Sequence, residues 1–137
     1  MTIMILDGQG GGVGKSLVDA LSRAIPNAEL VAVGTNSAAT LNMVRGTKII
    51  GATGESAVIF NADHADLIVA PLSAFLVYGM QGEISPKMAT ALASCKAKKI
   101  AIPSNSKDFL VVSRSNLTLS QKIEDAVILV KECSIKT

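Results

Sequence analysis

A run of glycines near the start of the chain constrains the fold more than any other feature. Residues 7–16 read Asp-Gly-Gln-Gly-Gly-Gly-Val-Gly-Lys-Ser, with five glycines among the seven residues 8–14. Ordering so many glycines costs backbone entropy, so the loop needs a structural or functional reason. The mostly apolar run Thr2–Leu6 precedes it, and apolar residues at helical spacing follow it. The opening therefore predicts a strand, a glycine loop and a helix.

The rest of the chain repeats this alternation of strands and helices. Further strands are predicted at residues 28–33, 48–50, 66–70, 100–102 and 109–113. Further helices are predicted after a cap at Asn36 or Ser37, from Ser85-Pro86 to Cys95, and after a Thr118–Gln121 capping box. Residues 55–62 could form a short helix or another strand, and the helix is favoured. Residues 51–54 are expected to be a loop, and residues 72–83 a short helix or folded-over loop. This pattern predicts one α/β domain over residues 1–137, with a doubly wound, mainly parallel sheet.

Composition limits the partners of such a domain. Hydrophobic residues make up 49% of the chain and charged residues 18%, which favours a sheet covered on both faces and a homo-oligomer that hides apolar surface. The net charge of +2 argues against nucleic acid, and the apolar run at residues 67–80 is shorter than a membrane span. Cys95 and Cys133 lack a metal-ligand spacing. We expect a cytoplasmic protein.

The glycine loop is typical of a phosphate-binding site. Glycines let backbone N–H groups approach a phosphate closely, and the following helix N-terminus adds partial positive charge. The alternative is a tight turn that allows close packing of helix and strand. Under the phosphate interpretation, the cofactor-binding residues are Gly8, Gln9, Gly10, Gly11, Gly12, Val13, Gly14 and Lys15.

Two nucleotide-binding templates compete for this loop. A P-loop would need glycine where Gln9 stands, and no carboxylate follows a later strand to organise magnesium opposite Ser16. The strict Rossmann fingerprint fails because Val13 takes its third glycine position. The spacing of Gly8, Gly12 and Gly14 looks like the cofactor loop of short-chain dehydrogenases, which implies a Rossmann-like fold and NAD or NADP. That family's Tyr-x-x-x-Lys is missing, because Gly82 stands four residues after Tyr78.

The residues after the second strand bear on which dinucleotide would bind. An acid there accepts the ribose 2′-hydroxyl of NAD in the Rossmann arrangement. This chain has Thr35 and Asn36 at that place, with Lys15 and Arg45 as candidates for a 2′-phosphate. The sequence therefore slightly favours NADP over NAD, with Thr35 and Asn36 near the ribose.

Several motifs together resemble a family of small, functionally uncharacterised bacterial proteins. They are Asp-Gly-Gln-Gly-Gly-Gly-Val-Gly-Lys at residues 7–15, Gly-Thr-Asn at 34–36, Gly-Ala-Thr-Gly-Glu at 51–55, Gly-Glu-Ile-Ser-Pro-Lys-Met-Ala at 82–89 and Lys-Lys-Ile-Ala-Ile-Pro at 98–103. The resemblance runs to about residue 113. It implies a compact cytoplasmic domain and no particular chemistry.

Other side chains could carry chemistry. Glu55 and Glu83 lie in glycine-bordered loops and are the candidate acid and base, although a Glu at a helix start is commonly structural. Asp7 is expected to hold the amides of the glycine loop, and His64 to lie at the surface. The main hypothesis is a small nucleotide- or dinucleotide-binding protein. An enzyme acting on a small phosphorylated or carboxylated metabolite at a subunit interface, a P-loop-like protein and a purely structural protein stay open.

Overall fold

A computed structural model describes residues 1–103, 109–112 and 116–135. Its strands are β1 (Thr2–Asp7), β2 (Glu29–Gly34), β3 (Ile50–Thr53), β4 (Leu67–Pro71) and β5 (Lys98–Ile102). Its α-helices are α1 (Gly12–Ala24), α2 (Ser37–Val44), α3 (Glu55–His64), α5 (Pro86–Ser94) and α6 (Leu119–Ile135), and the single turn labelled α4 (Gly79–Gly82) is not a regular α-helix, because Met80 and Gln81 in it are left-handed. A 3-10 helix (Leu72–Phe75) follows β4.

The five strands form one parallel sheet in the order β3-β2-β1-β4-β5. Alternate residues of β1 point to opposite faces, so Ile3 and Ile5 pack with α1, α2 and α6, whereas Met4 and Leu6 pack with α3 and α5. Both faces are therefore covered, which confirms the predicted doubly wound α/β fold. The chain reverses its direction of winding between β1 and β4, where open α/β sheets bind ligands beyond the strand ends.

The capping residues that the sequence predicted are present at the starts of three helices. Asn36 caps α2 by accepting a hydrogen bond from the Ala39 N–H, and Ser85 with Pro86 begins α5 as predicted. The capping box of α6 is present, since Thr118 and Gln121 exchange hydrogen bonds of 2.8 and 3.2 Å. Residues 72–83 contain the 3-10 helix and α4, in agreement with the expected short helix or folded loop.

Two strand predictions were wrong. The strand expected at residues 48–50 runs instead over Ile50–Thr53, most of which was expected to be a loop. Gly51 fits the strand because its missing side chain admits Thr40, whose Cγ2 lies 2.9 Å from the place of a Cβ. The sixth strand expected at residues 109–113 does not form over its described part: Phe109 makes an isolated bridge, and residues 110–112 are irregular.

Candidate functional site

Asp7, the last residue of β1, fixes the shape of the glycine loop. Its side chain is buried; Oδ1 accepts from the Gly8 N–H at 2.8 Å and Oδ2 from the Gly14 N–H at 2.7 Å. Burial raises the pKa of Asp7 above its ordinary value of 3.8, against the lowering effect of these two hydrogen bonds; the nearby Glu83 charge raises it slightly more. Asp7 therefore holds both ends of the loop, as the sequence suggested.

The five glycines of the loop fall into two groups. Gly8, Gly11 and Gly14 are buried, and a Cβ on any of them would lie 2.6–2.7 Å from a neighbouring atom. Gly11 also has a φ of +73°, a left-handed conformation that favours glycine. Gly10 and Gly12, by contrast, are exposed, and a Cβ on either would meet no described atom within 4 Å apart from its chain neighbours and the backbone of α1. Packing therefore explains three of the glycines and leaves two facing open space.

The backbone N–H groups of the loop divide in a similar way. The Gly11 N–H donates to the Gly8 carbonyl, and the Lys15 N–H donates to the Gly11 carbonyl. The N–H groups of Gly10, Gly12 and Val13 have no acceptor in the part of the chain that the structure describes. Those of Gly12 and Val13 belong to the first turn of α1, where such groups lack intrahelical partners. These three donors are available to an external acceptor.

Glu83 closes one side of the loop, although it lies far away in the sequence. Its Oε1 accepts from the Thr35 hydroxyl at 2.5 Å, the Asn36 Nδ2 at 2.7 Å and the Gln9 N–H at 3.0 Å. Its Oε2 has, within the described part of the chain, only a longer contact of 3.2 Å with the same N–H. Burial alone would raise the pKa of Glu83, but these hydrogen bonds outweigh it and lower the pKa below its ordinary value of 4.5. Glu83 is therefore an ionised, fixed carboxylate.

The segment that delivers Glu83 has an unusual backbone. Tyr78, Met80 and Gln81 have φ values of 60°, 58° and 61°. Left-handed conformations cost non-glycine residues roughly 1–2 kcal/mol each. Gly79 permits the fold of this segment, because a Cβ there would collide with the Ser73 carbonyl oxygen. We call residues 78–83 the left-handed segment.

The lysine of the loop is engaged within the protein. The Lys15 Nζ donates to the Arg45 carbonyl oxygen at 2.5 Å and forms an ion pair with Asp19 at 3.0 Å. Its role as a phosphate ligand stays a prediction. Asn42, which sequence reasoning missed, donates from Nδ2 to the Gly10 carbonyl at 2.9 Å and supports the loop from α2.

The two candidate acidic residues have different surroundings. Glu83 contacts the glycine loop, whereas Glu55 accepts from the Ser85 hydroxyl at 2.5 Å, at the start of α5. Ser85 also caps that helix, so the Glu55 contact joins the beginnings of α3 and α5. The geometry thus brings Gln9, Thr35, Asn36 and Glu83 together and leaves Glu55 outside this group.

The described residues contain no group of three or more His, Cys, Asp or Glu side chains that could hold a metal ion. None of the helices, over the same residues, is long and apolar enough to cross a membrane. His64 is exposed as expected, stacked on Phe60 with ring centroids 4.2 Å apart.

Comparisons with known proteins agree with the fold. The pattern of a protein family described as "Domain of unknown function (DUF3842)" matches residues 2–135. No curated protein matches the sequence. Among solved structures, the fold is similar to that of a dodecameric FMN-dependent UbiX-like decarboxylase from Escherichia coli O157:H7. The TM-score is 0.51 at 15% identity, over 96% of this chain and 93% of that chain. At this identity the similarity establishes the fold alone.

Proposed function

The chain belongs to the DUF3842 family, and we propose that it binds a nucleotide or dinucleotide cofactor whose phosphate lies on the glycine loop. One observation carries this proposal. The exposed glycines Gly10 and Gly12 face open space, and the N–H groups of Gly10, Gly12 and Val13 have no acceptor among the described residues. A phosphate would accept from these donors and would use the space that side chains at residues 10 and 12 would otherwise fill.

The position of the loop in the sheet supports the same proposal. The loop follows β1, which lies beside β4 at the point where the strand order reverses. Ligands of open α/β sheets bind there, beyond the carboxyl ends of the strands. The 13-residue helix α1 begins at the loop and directs its partial positive charge toward this place.

The candidate cofactors are NAD, NADP and FMN. The dinucleotides are suggested by the loop spacing and by Thr35 and Asn36 at the end of β2. FMN is included because the structurally similar decarboxylase is FMN-dependent. ATP binding of the P-loop type has less support, because such sites hold magnesium with the serine hydroxyl and with an acid at the end of another strand. Here the Ser16 hydroxyl donates to the Gly12 carbonyl at 3.2 Å, and β4 and β5 end in Pro71 and Ile102.

A second candidate function is an enzyme with Glu83 as general base. The observation that favours it is the position of an ionised carboxylate against the glycine loop. Its lowered pKa makes Glu83 a weak base at neutral pH, which ranks this function below cofactor binding. Replacing Glu83 with Gln would abolish turnover in such an enzyme without removing ligand affinity.

We also propose that the chain forms a homo-oligomer. Exposed apolar side chains include Phe60 of α3 and Tyr78 of the left-handed segment, which are 61% and 66% exposed. The similar decarboxylase is dodecameric. Light scattering coupled to size-exclusion chromatography would measure the mass, and a monomer at micromolar concentration would refute this proposal.

The test of cofactor binding compares two valine variants. Thermal unfolding and calorimetric titration would be measured with NAD, NADP, FMN and ATP, with and without magnesium. A ligand at a hundred times its dissociation constant adds about 2.7 kcal/mol of stability. We expect Gly12→Val to fold, because its Cβ has open space, and to lose this stabilisation. Ser56→Val is the matched control, since it also places valine on an exposed first turn, that of α3.

Two results would refute cofactor binding at this loop. The first is that none of the four ligands shifts the unfolding temperature of the wild-type protein. The second is that a ligand binds Gly12→Val as tightly as it binds Ser56→Val. A magnesium-dependent shift with ATP alone would instead support the P-loop alternative.

A further inference from the structure

Glu83 lies where a Rossmann-like protein meets the sugar of its ligand. Thr35 and Asn36 follow the last residue of β2, and both donate hydrogen bonds to the Glu83 carboxylate. In dinucleotide-binding sheets an acidic residue after this strand accepts the ribose 2′-hydroxyl. This chain has no acid there in its sequence, but the left-handed segment brings one to the same place from 48 residues further along the chain.

We propose that Glu83 recognises a ribose with free 2′- and 3′-hydroxyls and thereby selects NAD-type ligands over 2′-phosphorylated, NADP-type ligands. This inference rests on the proposed function, because it concerns the sugar attached to the phosphate on the glycine loop. It reverses the slight preference for NADP that the sequence alone suggested.

The hydrogen-bonding capacity of the carboxylate fits this role. Its Oε1 already accepts from three donors, which fixes the orientation of the group. Among the described residues, its Oε2 has only the 3.2 Å contact with the Gln9 N–H. An ionised carboxylate offers about four acceptor positions, so Oε2 retains capacity for ligand hydroxyls. A hydroxyl donates to such an acceptor, whereas a 2′-phosphate is mostly dianionic at neutral pH and then has no proton to donate.

Charge at the site disfavours a 2′-phosphate. No basic side chain pairs with Glu83 within residues 1–103, 109–112 and 116–135. Lys15 is engaged by Asp19 and the Arg45 carbonyl. Arg45 itself caps the far end of α2, nine residues after Asn36, which corresponds to about 13 Å along a helix. A 2′-phosphate would therefore meet a fixed negative charge that no salt bridge among the described residues offsets.

The backbone around Glu83 supports its assignment to a functional site. Three left-handed non-glycine residues precede it, and such strained conformations cluster at functional sites. The segment is secured on both sides: the Tyr78 N–H donates to the carbonyl of the buried Ile84 at 2.7 Å, and the Met80 sulfur packs over Gly8. Glu83 thus keeps its position against the loop.

The experiment measures dissociation constants of NAD, 2′-deoxy-NAD and NADP by calorimetry. We expect the wild-type protein to bind NAD about tenfold or more tightly than either analogue, because a site that hydrogen-bonds a hydroxyl rejects ligands lacking it. Glu83→Gln should weaken NAD binding and bring the NAD and NADP affinities closer together. Glu124→Gln, an exposed change of the same type on α6, should leave all three affinities unchanged.

The outcomes separate this inference from the proposed function. If the wild-type protein binds NAD and NADP equally and Gly12→Val binds neither, the phosphate site stands and the role of Glu83 is refuted. If Glu83→Gln binds both dinucleotides more tightly, Glu83 is a competing anion and the inference is again refuted. If neither dinucleotide binds the wild-type protein, this inference fails; the proposed function fails as well only if FMN and ATP also do not bind. The affinities of the wild-type protein for NAD, 2′-deoxy-NAD and NADP test the inference even if Glu83→Gln does not fold.

Discussion

The division of the loop glycines into packed and open positions predicts opposite effects for two alanine substitutions in α1. A Cβ at Gly14 would lie 2.7 Å from the Asp7 Cβ and 2.9 Å from the Met43 Cε. The Met43 methyl can move, but the Asp7 Cβ is fixed to the central strand β1. Such overpacking costs about 1–3 kcal/mol. The same substitution also shifts the N–H of residue 14 away from the Asp7 carboxylate, which places Gly14→Ala in the upper half of that range.

Gly12→Ala makes the same chemical change two residues earlier, in open space. It places no atom in contact with a neighbour and removes a glycine from the start of the helix. Replacing glycine with alanine at a compatible position stabilises by about 0.4–1 kcal/mol, because the unfolded chain loses freedom. We therefore expect a difference of about 2–4 kcal/mol between the two variants, from adding these two estimates.

Urea unfolding followed by circular dichroism would measure this difference in the absence of ligand. The two variants control for each other, because both exchange glycine for alanine within the first turn of α1. Equal free energies of unfolding for Gly12→Ala and Gly14→Ala would refute the division of the loop into structural and open glycines. A strongly destabilised Gly12→Ala would show that the loop fits the tight-turn alternative throughout.

Three further predictions concern the two carboxylates and the left-handed segment. Asp7→Asn should lower the free energy of unfolding by about 1–3 kcal/mol, because an amide can accept from only one of the two loop N–H groups and leaves the other unpaired; a variant as stable as the wild-type protein in urea would refute this. The pH dependence of stability should have two opposing parts, measured by urea unfolding between about pH 3 and pH 7. The pKa of Asp7 is raised, so its contribution to the free energy of unfolding is fully present below pH 3.8 and is lost as the pH rises through the raised pKa. The pKa of Glu83 is lowered, so its contribution to the free energy of unfolding is present above pH 4.5 and is lost as the pH falls through the lowered pKa. Asp7→Asn should remove the first part and Glu83→Gln the second, and an unchanged profile in either variant would contradict the assignment. Gln81→Gly should raise the melting temperature through a gain of about 0.5–1 kcal/mol, since glycine adopts the left-handed conformation without strain, whereas Glu124→Gly at an exposed position within α6 should lower it.

The fold was largely predictable because most of its signals are local. Buried parallel strands are short apolar runs, and the helices carry capping residues such as Asn36 and Ser85 that sequence alone identifies. The errors arose where tertiary contacts decide the structure. Gly51 suggested a loop, yet the pairing of β3 with β2 and the close approach of Thr40 make it part of a strand.

The candidate site was predictable only in part. The glycine loop, Thr35 and Asn36 follow strands that lie side by side, so their proximity follows from the fold. The meeting of Glu83 with these residues depends on three left-handed residues, which no pattern in a single sequence indicates. Glycine-bordered Glu83 was singled out as a candidate, but its partners were not, because its contacts cross 48 residues of sequence to Thr35.

The hydrogen bonds of the loop explain why two carboxylates stand beside a proposed phosphate site. Asp7 takes the N–H groups of Gly8 and Gly14 from inside the fold, and Glu83 takes that of Gln9 from outside. The Gly8 and Gly14 amides are buried, where a donor without a partner is costly, so the Asp7 carboxylate favours this loop conformation over others. The two carboxylates therefore fix the loop around the donors that remain, those of Gly10, Gly12 and Val13. A loop ordered before the ligand arrives avoids the entropic cost of ordering five glycines on binding.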